Sequence, residues 1–190
     1  MKKWRFVGFD DSFKLSGSFS ELKGGEAVIV GCVTAGILPE GFMFDRIEID
    51  GMNSTEKIEV MLKKSKFWSQ LKCIFLSGLT FGGFNTVDIS KINERTKIPV
   101  IVVMRKYPDF EAIKKALKNV SNGEERWEVI KRAGEVIKIE NTYVQIKGCS
   151  REEAETYLRL STREGHIPEP LRLAHMVATA IVHGESKGRV

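Results

Sequence analysis

Trp4-Arg5-Phe6-Val7-Gly8-Phe9-Asp10 is the stretch on which the fold turns, because it is the first of three runs built alike. Its apolar and aromatic residues stop at an acid, and Glu26 to Thr34 and Phe42 to Asp50 repeat the pattern after connections that carry Gly and Ser. Short apolar runs rich in β-branched and aromatic residues, separated by turn formers, are strand signals. Three in succession with no helical period between them predict an antiparallel opening.

The period then changes. Ser54 to Trp68 has apolar Ile58, Met61 and Leu62 at helical spacing, whereas Lys72 to Leu76 and Pro99 to Met104 are nearly continuous apolar runs, as in parallel strands covered on both faces. Asn85 to Arg95 and Asp109 to Val120 predict a crossover and a following helix. Glu135 to Ile139 and Asn141 to Ile146 predict a late hairpin, and Arg151 to Arg163 a further helix. Periodicity alone gives the α/β class.

At 190 residues, 42% hydrophobic and 29% charged, the chain has the size and composition of one domain spanning 1–190. The amino end enters a strand directly, and no apolar run is long enough for a signal peptide or membrane span, which predicts a cytoplasmic protein without a membrane partner. Cys32, Cys73 and Cys149 are far apart and odd in number, so they read as reduced structural thiols rather than a disulfide framework or zinc site. With 30 basic against 25 acidic side chains, the net charge of +5 permits contact with a phosphate backbone without requiring it. Lys63-Lys64-Ser65-Lys66 and Lys114-Lys115 read as solvated helix faces.

The chemistry concentrates near the carboxyl end, in Ile167-Pro168-Glu169-Pro170-Leu171-Arg172-Leu173-Ala174-His175. Two prolines suit the entry of a helix, predicted from Glu169 to His183. Arg172, His175, Thr179 and His183 fall within about a quarter-turn of one another, and the remaining apolar residues predict packing on most sides. A cation and an imidazole in that setting need partners. Singly, they read as a loop tie and a satisfied core histidine. Asp10 and Asp50 each end a strand; if those strands are neighbours, both carboxylates converge on one sheet edge, where a hard cation prefers oxygen ligands. Each acid alone also reads as turn chemistry. Gly82-Gly83-Phe84-Asn85 leads into a helix, with backbone amides available to an anion, Asn85 as the cap and Phe84 packed beneath the loop. Arg105 and Lys106 follow a strand and reach towards the same edge. The tail from Gly184 to Arg189 is polar and reads as a mobile end or a flap over the cleft.

Six segments carry a resemblance: Gly8 to Phe13 (GFDDSF), Ile49 to Thr55 (IDGMNST), Leu79 to Asp88 (LTFGGFNTVD), Pro99 to Lys106 (PVIVVMRK), Ile167 to His175 (IPEPLRLAH) and Gly184 to Arg189 (GESKGR). IPEPLRLAH resembles the motif LPEPTRxAH of endonuclease V, a ribonuclease H-like nuclease acting at deaminated adenine in DNA or RNA. The whole set resembles, over almost the entire chain, an archaeal family related to endonuclease V. The resemblance implies a ribonuclease H-like mixed sheet, three antiparallel strands then parallel ones, flanked by helices. It also implies Mg²⁺- or Mn²⁺-dependent hydrolysis of phosphodiester bonds in DNA or RNA. By this likeness Asp10 and Asp50 hold the metal, His175 lies beside it, Lys106 touches phosphate, and Arg105, Arg172 and Asn85 contact nucleic acid.

One departure stands out. Endonuclease V has Asp-Gly where this chain has Ser77-Gly78, and serine is a poor metal ligand beside a carboxylate. Asp88 and Asp11 are the candidates to compensate. The proline-rich wedge of endonuclease V is not recognisable, so selectivity for inosine is not implied. Two alternatives stay open: a nucleic-acid-binding relative without hydrolysis, and an enzyme acting on a nucleotide-like phosphorylated substrate.

Overall fold

The computed structural model describes residues 4–14 and 25–186. Lys187, Gly188 and Arg189 of the polar tail lie outside the described residues. Strands β1 (Arg5–Ser12), β2 (Glu26–Ala35) and β3 (Leu38–Glu48) form the antiparallel opening. Helix α1 (Ser54–Lys64) and a 3₁₀ turn at Trp68–Gln70 lead to β4 (Leu71–Ser77), which pairs in parallel with β1. A two-residue hairpin, β5 (Thr80–Phe81) and β6 (Asn85–Thr86), precedes α2 (Ile89–Thr96) and the parallel strand β7 (Val100–Met104). Helices α3 (Phe110–Leu117) and α4 (Gly123–Arg132), the hairpin β8 (Ile137–Ile139) and β9 (Thr142–Lys147), α5 (Arg151–Ser161) and α6 (Glu169–His183) complete the chain. One mixed sheet of seven strands runs in the order β3-β2-β1-β4-β7-β9-β8. Its antiparallel opening, parallel centre and late hairpin are those the sequence predicts.

Alternation along β1 explains how the sheet is covered. Side chains of successive strand residues point to opposite faces, so Val7 and Phe9 join Ile58 and Leu62 of α1 and Ile92 of α2 in one core. Phe6 instead packs with Phe75, Leu158 of α5 and Leu171 of α6 on the other face. Gly8 shares the Phe6 face, and a Cβ there would lie 2.6 Å from the backbone of Pro170 and Leu171. Only glycine lets the first turn of α6 rest on the strand. Asp10 is the next residue on that face, two positions and about 7 Å further along. His175 is one turn beyond Leu171, a rise of about 6 Å. The close approach at Gly8 thereby sets imidazole and carboxylate at the same height.

Pro168 caps α6 and Pro170 occupies its first turn, so the prolines fix the boundary as expected. The expectation of packing on most sides is corrected. Leu171, Ala174 and Ala178 are buried against the sheet, whereas Leu173, Met176, Val177, Ala180 and Val182 are half-buried and Ile181 is exposed. With no layer outside it, the helix can bury only one stripe. Three other boundaries shift. α1 ends at Lys64 because Ser65 is extended. α2 begins at Ile89, capped by Asp88 accepting from the Lys91 amide, so Asn85 is not its cap. The sequence reading assigned no element to α4, whose inward stripe contains an arginine.

Candidate active site

His175 Nδ1 lies 3.0 Å from Asp10 Oδ2, joining residues 165 positions apart. The pair sits in an open cleft of about 530 Å³ at the tips of β1, β4 and β7. Asp11, Ser77, Gly78 and Arg105 also line it, with apolar walls that include Met104, Ile167 and Leu171. The hydrogen bond to Asp10 holds the His175 pKa above its ordinary 6.5, against burial and the nearby Arg105 cation. Burial pushes the Asp11 carboxyl up to about 7, helped by the Asp10 charge and opposed by the Gly82 amide. Two adjacent acids, an imidazole and a guanidinium therefore face one solvent-filled space.

The glycine loop after β4 does something other than the sequence predicts. Its amides do meet anions, but these are the protein's own carboxylates. Gly82 N donates to Asp11 Oδ2 at 2.8 Å and Phe84 N to Asp50 Oδ1 at 2.8 Å, while Asp50 N donates to Gly82 O. Gly82 and Gly83 both have positive φ, 52° and 82°, which turns successive amides towards the acids. Asp50, itself at φ 53°, stands in the turn after β3 and is not among the residues lining the cleft. The expected convergence of Asp10 and Asp50 in one pocket is thus corrected: the two connect only through Asp11 and the loop.

Asn85 is fully buried. Its amide donates to Glu48 O and Asn53 Oδ1 and its oxygen accepts from Ser54 N, so it holds α1 to β6 rather than a nucleic acid. Arg126 of α4 completes this network. It is 0% exposed and donates to four carbonyls, those of Ser121, Gly51, Phe84 and Asp50. The planar guanidinium presents five donors in a fixed fork, which suits several carbonyls at once.

Arg105 lines the cleft and Lys106, exposed beside it, does not. Arg172 turns away to the buried Glu169, bonded through Nε at 2.9 Å and Nη2 at 2.6 Å, with Met176 Sδ beside Nη1. Asp88 caps α2 and pairs with Arg132 at 2.9 Å, so it does not compensate for Ser77; Asp11 is the acid that reaches the cleft. Sequence reasoning overlooked Glu169 and Arg126. Arg126 shares a helical stripe with Val129, Ile130 and Ala133, a signal that an arginine faces inward.

Among the described residues, no three His, Cys, Asp or Glu side chains are grouped as ligands for an ion. A Mg²⁺-type cation keeps several waters and takes only one or two carboxylates. Asp10 and Asp11 meet that requirement, and a like-charged pair at a partly buried edge is relieved by a cation. A zinc site with three or four protein ligands does not fit.

Comparison with known proteins gives a consistent result. The family model described as Endonuclease dU matches residues 2–182. A UPF0215 protein of Archaeoglobus fulgidus is 47% identical over 189 residues, covering 100% of this chain and 99% of the relative. One from Methanosarcina acetivorans is 43% identical, covering 97% and 94%. The crystal structure of a protein of unknown function from Archaeoglobus fulgidus superposes with a TM-score of 0.89 at 46% identity, over 96% of this chain and 100% of that one. Ciona intestinalis endonuclease V, crystallised with DNA containing an inosine, gives a TM-score of 0.61 at 16% identity, over 95% and 86%. That last likeness is one of fold. No helix among the described residues is long and apolar enough to cross a membrane.

Proposed function

The chain belongs to the Endonuclease dU family, and on that premise we propose that it is a cytoplasmic, single-domain nuclease, dependent on Mg²⁺ or Mn²⁺, that hydrolyses phosphodiester bonds in DNA or RNA. The observation that carries the reading is the Asp10–His175 contact inside a cleft that also presents Asp11 and Arg105. The family's name points to deoxyuridine in DNA as the first lesion to test.

Asp10 and Asp11 are the residues that would hold the cation, which when bound supplies electrophilic stabilisation of a phosphoryl oxygen. Asp50 supports them at one remove, by fixing the loop whose Gly82 amide orients Asp11. Arg105, with Lys106 beside it, draws the phosphate into the cleft. Asp10 occupies Nδ1 of His175 and leaves Nε2 as the atom able to serve the substrate. With its pKa held above the ordinary value, the imidazole keeps a proton on Nε2 near neutral pH. As water attacks phosphorus and gives up its own proton to solvent, the bond to the departing oxygen breaks and Nε2 protonates that oxygen.

Ser77, standing where endonuclease V has an acid, favours a second reading in which the protein binds nucleic acid without cutting it. One experiment separates the two. Labelled uracil-containing, inosine-containing and unmodified DNA, and RNA, are incubated with Mn²⁺ and with wild type or Asp10→Asn. Metal-dependent cleavage lost in the variant supports hydrolysis. Binding without cleavage on every substrate overturns the nuclease in favour of the binding protein, and failure to bind any polynucleotide overturns both.

A further inference from the structure

The outer edge of β3 is built to meet itself. β3 is the first strand of the sheet and pairs only with β2, so the backbone groups along its other side have no strand partner among the described residues. Proteins usually blunt such edges with short strands, lysines or prolines, because unpaired amides and carbonyls template the addition of another strand. This edge runs through all of Leu38–Glu48, contains no lysine, and has its one proline, Pro39, next to its start. It also exposes large apolar side chains, Phe42 at 50% and Phe44 at 68%.

Glu40, Phe42, Phe44 and Arg46 alternate along the face of β3 opposite α1. Met43 packs towards the α1 core and Asp45 pairs with Lys57 of that helix. Turned antiparallel about Met43, the strand is self-complementary: Glu40 stands opposite Arg46 of a second copy, and Phe42 opposite Phe44 of that copy, each pair occurring twice. Aromatic pairs and opposite charges placed directly across an antiparallel pair are the stabilising combinations. Within one chain Glu40 already binds Arg5 and Arg46 binds Glu26. The second copy would join these pairs into continuous rows of alternating charge. Beside the edge lies a groove of about 440 Å³ lined by Phe42, Phe44, Val60 and Phe67, able to receive side chains from across the axis.

The geometry points to a homodimer formed by antiparallel addition of β3 to β3 of a second copy about Met43, making one sheet of both chains. A two-fold axis through a single residue requires such an isologous, self-complementary patch. Nucleic acid stacking on Phe42 and Phe44 is the rival occupant.

Light scattering after size exclusion over a dilution series tests the inference, with circular dichroism to verify folding. Wild type runs at twice the monomer mass, and Phe44→Lys, which sets a charge in the aromatic pair, weakens the dimer by about a hundredfold. Register is read by oxidation: the double variant Phe42→Cys with Phe44→Cys forms a disulfide-linked dimer, since these positions face each other across the axis, whereas each single variant does not. Cross-linking of a single variant overturns the register. A wild type that remains monomeric, or a dimer unaffected by Phe44→Lys, overturns the interface. A monomer in which Phe44→Lys abolishes binding of single-stranded DNA gives the patch to nucleic acid instead.

Discussion

Asp10 and Asp50 both close strands of the same sheet, yet one faces open solvent beside an imidazole and the other is enclosed by backbone. Asp10 spends an oxygen on His175 and lines a cleft. Asp50 spends one on the Phe84 amide, with the Arg126 guanidinium on its carbonyl. A carboxylate at a strand end becomes available for chemistry only where no loop supplies amides to it. The glycine loop is what divides the two fates, since its positive-φ residues aim donors at Asp50 and at Asp11 and leave Asp10 alone.

The sharpest way to break this contrast is to remove Arg126. Arg126→Ala leaves four carbonyls without their donor in a buried site and is expected to destabilise the fold by about 3–5 kcal/mol in denaturant unfolding, the scale for breaking a buried charged network. A loss below about 1 kcal/mol would mean that the loop holds itself in place. A smaller effect separates the two acids directly. Asp50→Ala should cost about 1–3 kcal/mol of stability, for an amide left without its acceptor, while retaining Mn²⁺ affinity. Asp10→Asn should show the reverse, a stability change under about 1 kcal/mol with Mn²⁺ affinity lost. Equal behaviour of the two variants in calorimetric titration and unfolding would erase the distinction.

A subtler consequence concerns His175, followed by NMR in metal-free protein. In Asp10→Asn its pKa should fall towards 6.5 as the carboxylate is lost, whereas Asp50→Ala should leave it unmoved. Because the folded-state pKa is raised, the Asp10–His175 contact adds stability that is complete below 6.5 and fades as pH climbs through the folded value. Least dramatic is Cys149. Burial, with Glu153 nearby, lifts its thiol to about 11, so alkylation at pH 8 should be much slower in folded than in unfolded protein.

How far the sequence carried depends on the kind of signal. The strand runs and the two prolines before α6 are local and strong, and the observed β1, β2, β4, β7 and α6 lie where those residues predict. The meeting of Asp10 with His175 was also anticipated, because both lie on recognisable motifs at ends of elements. Asn85 misled because its side chain satisfies both local capping and a tertiary network, and only packing decides; Asp88, three residues on, took the cap. Asp50 misled for the same reason, since nothing in IDGMNST reveals that an amide from residue 84 will reach it. α4 escaped notice because its buried position is an arginine, which periodicity counts as solvent-facing.

The contact between Gly8 and the Pro170–Leu171 backbone has a consequence for how the protein comes into being. The sheet and its α1–α2 core are encoded well before residue 170, but the imidazole arrives with the last helix to leave the ribosome. A nascent or truncated chain would hold the acids without their partner, so whatever reactivity the cleft possesses is withheld until synthesis ends and the final helix docks.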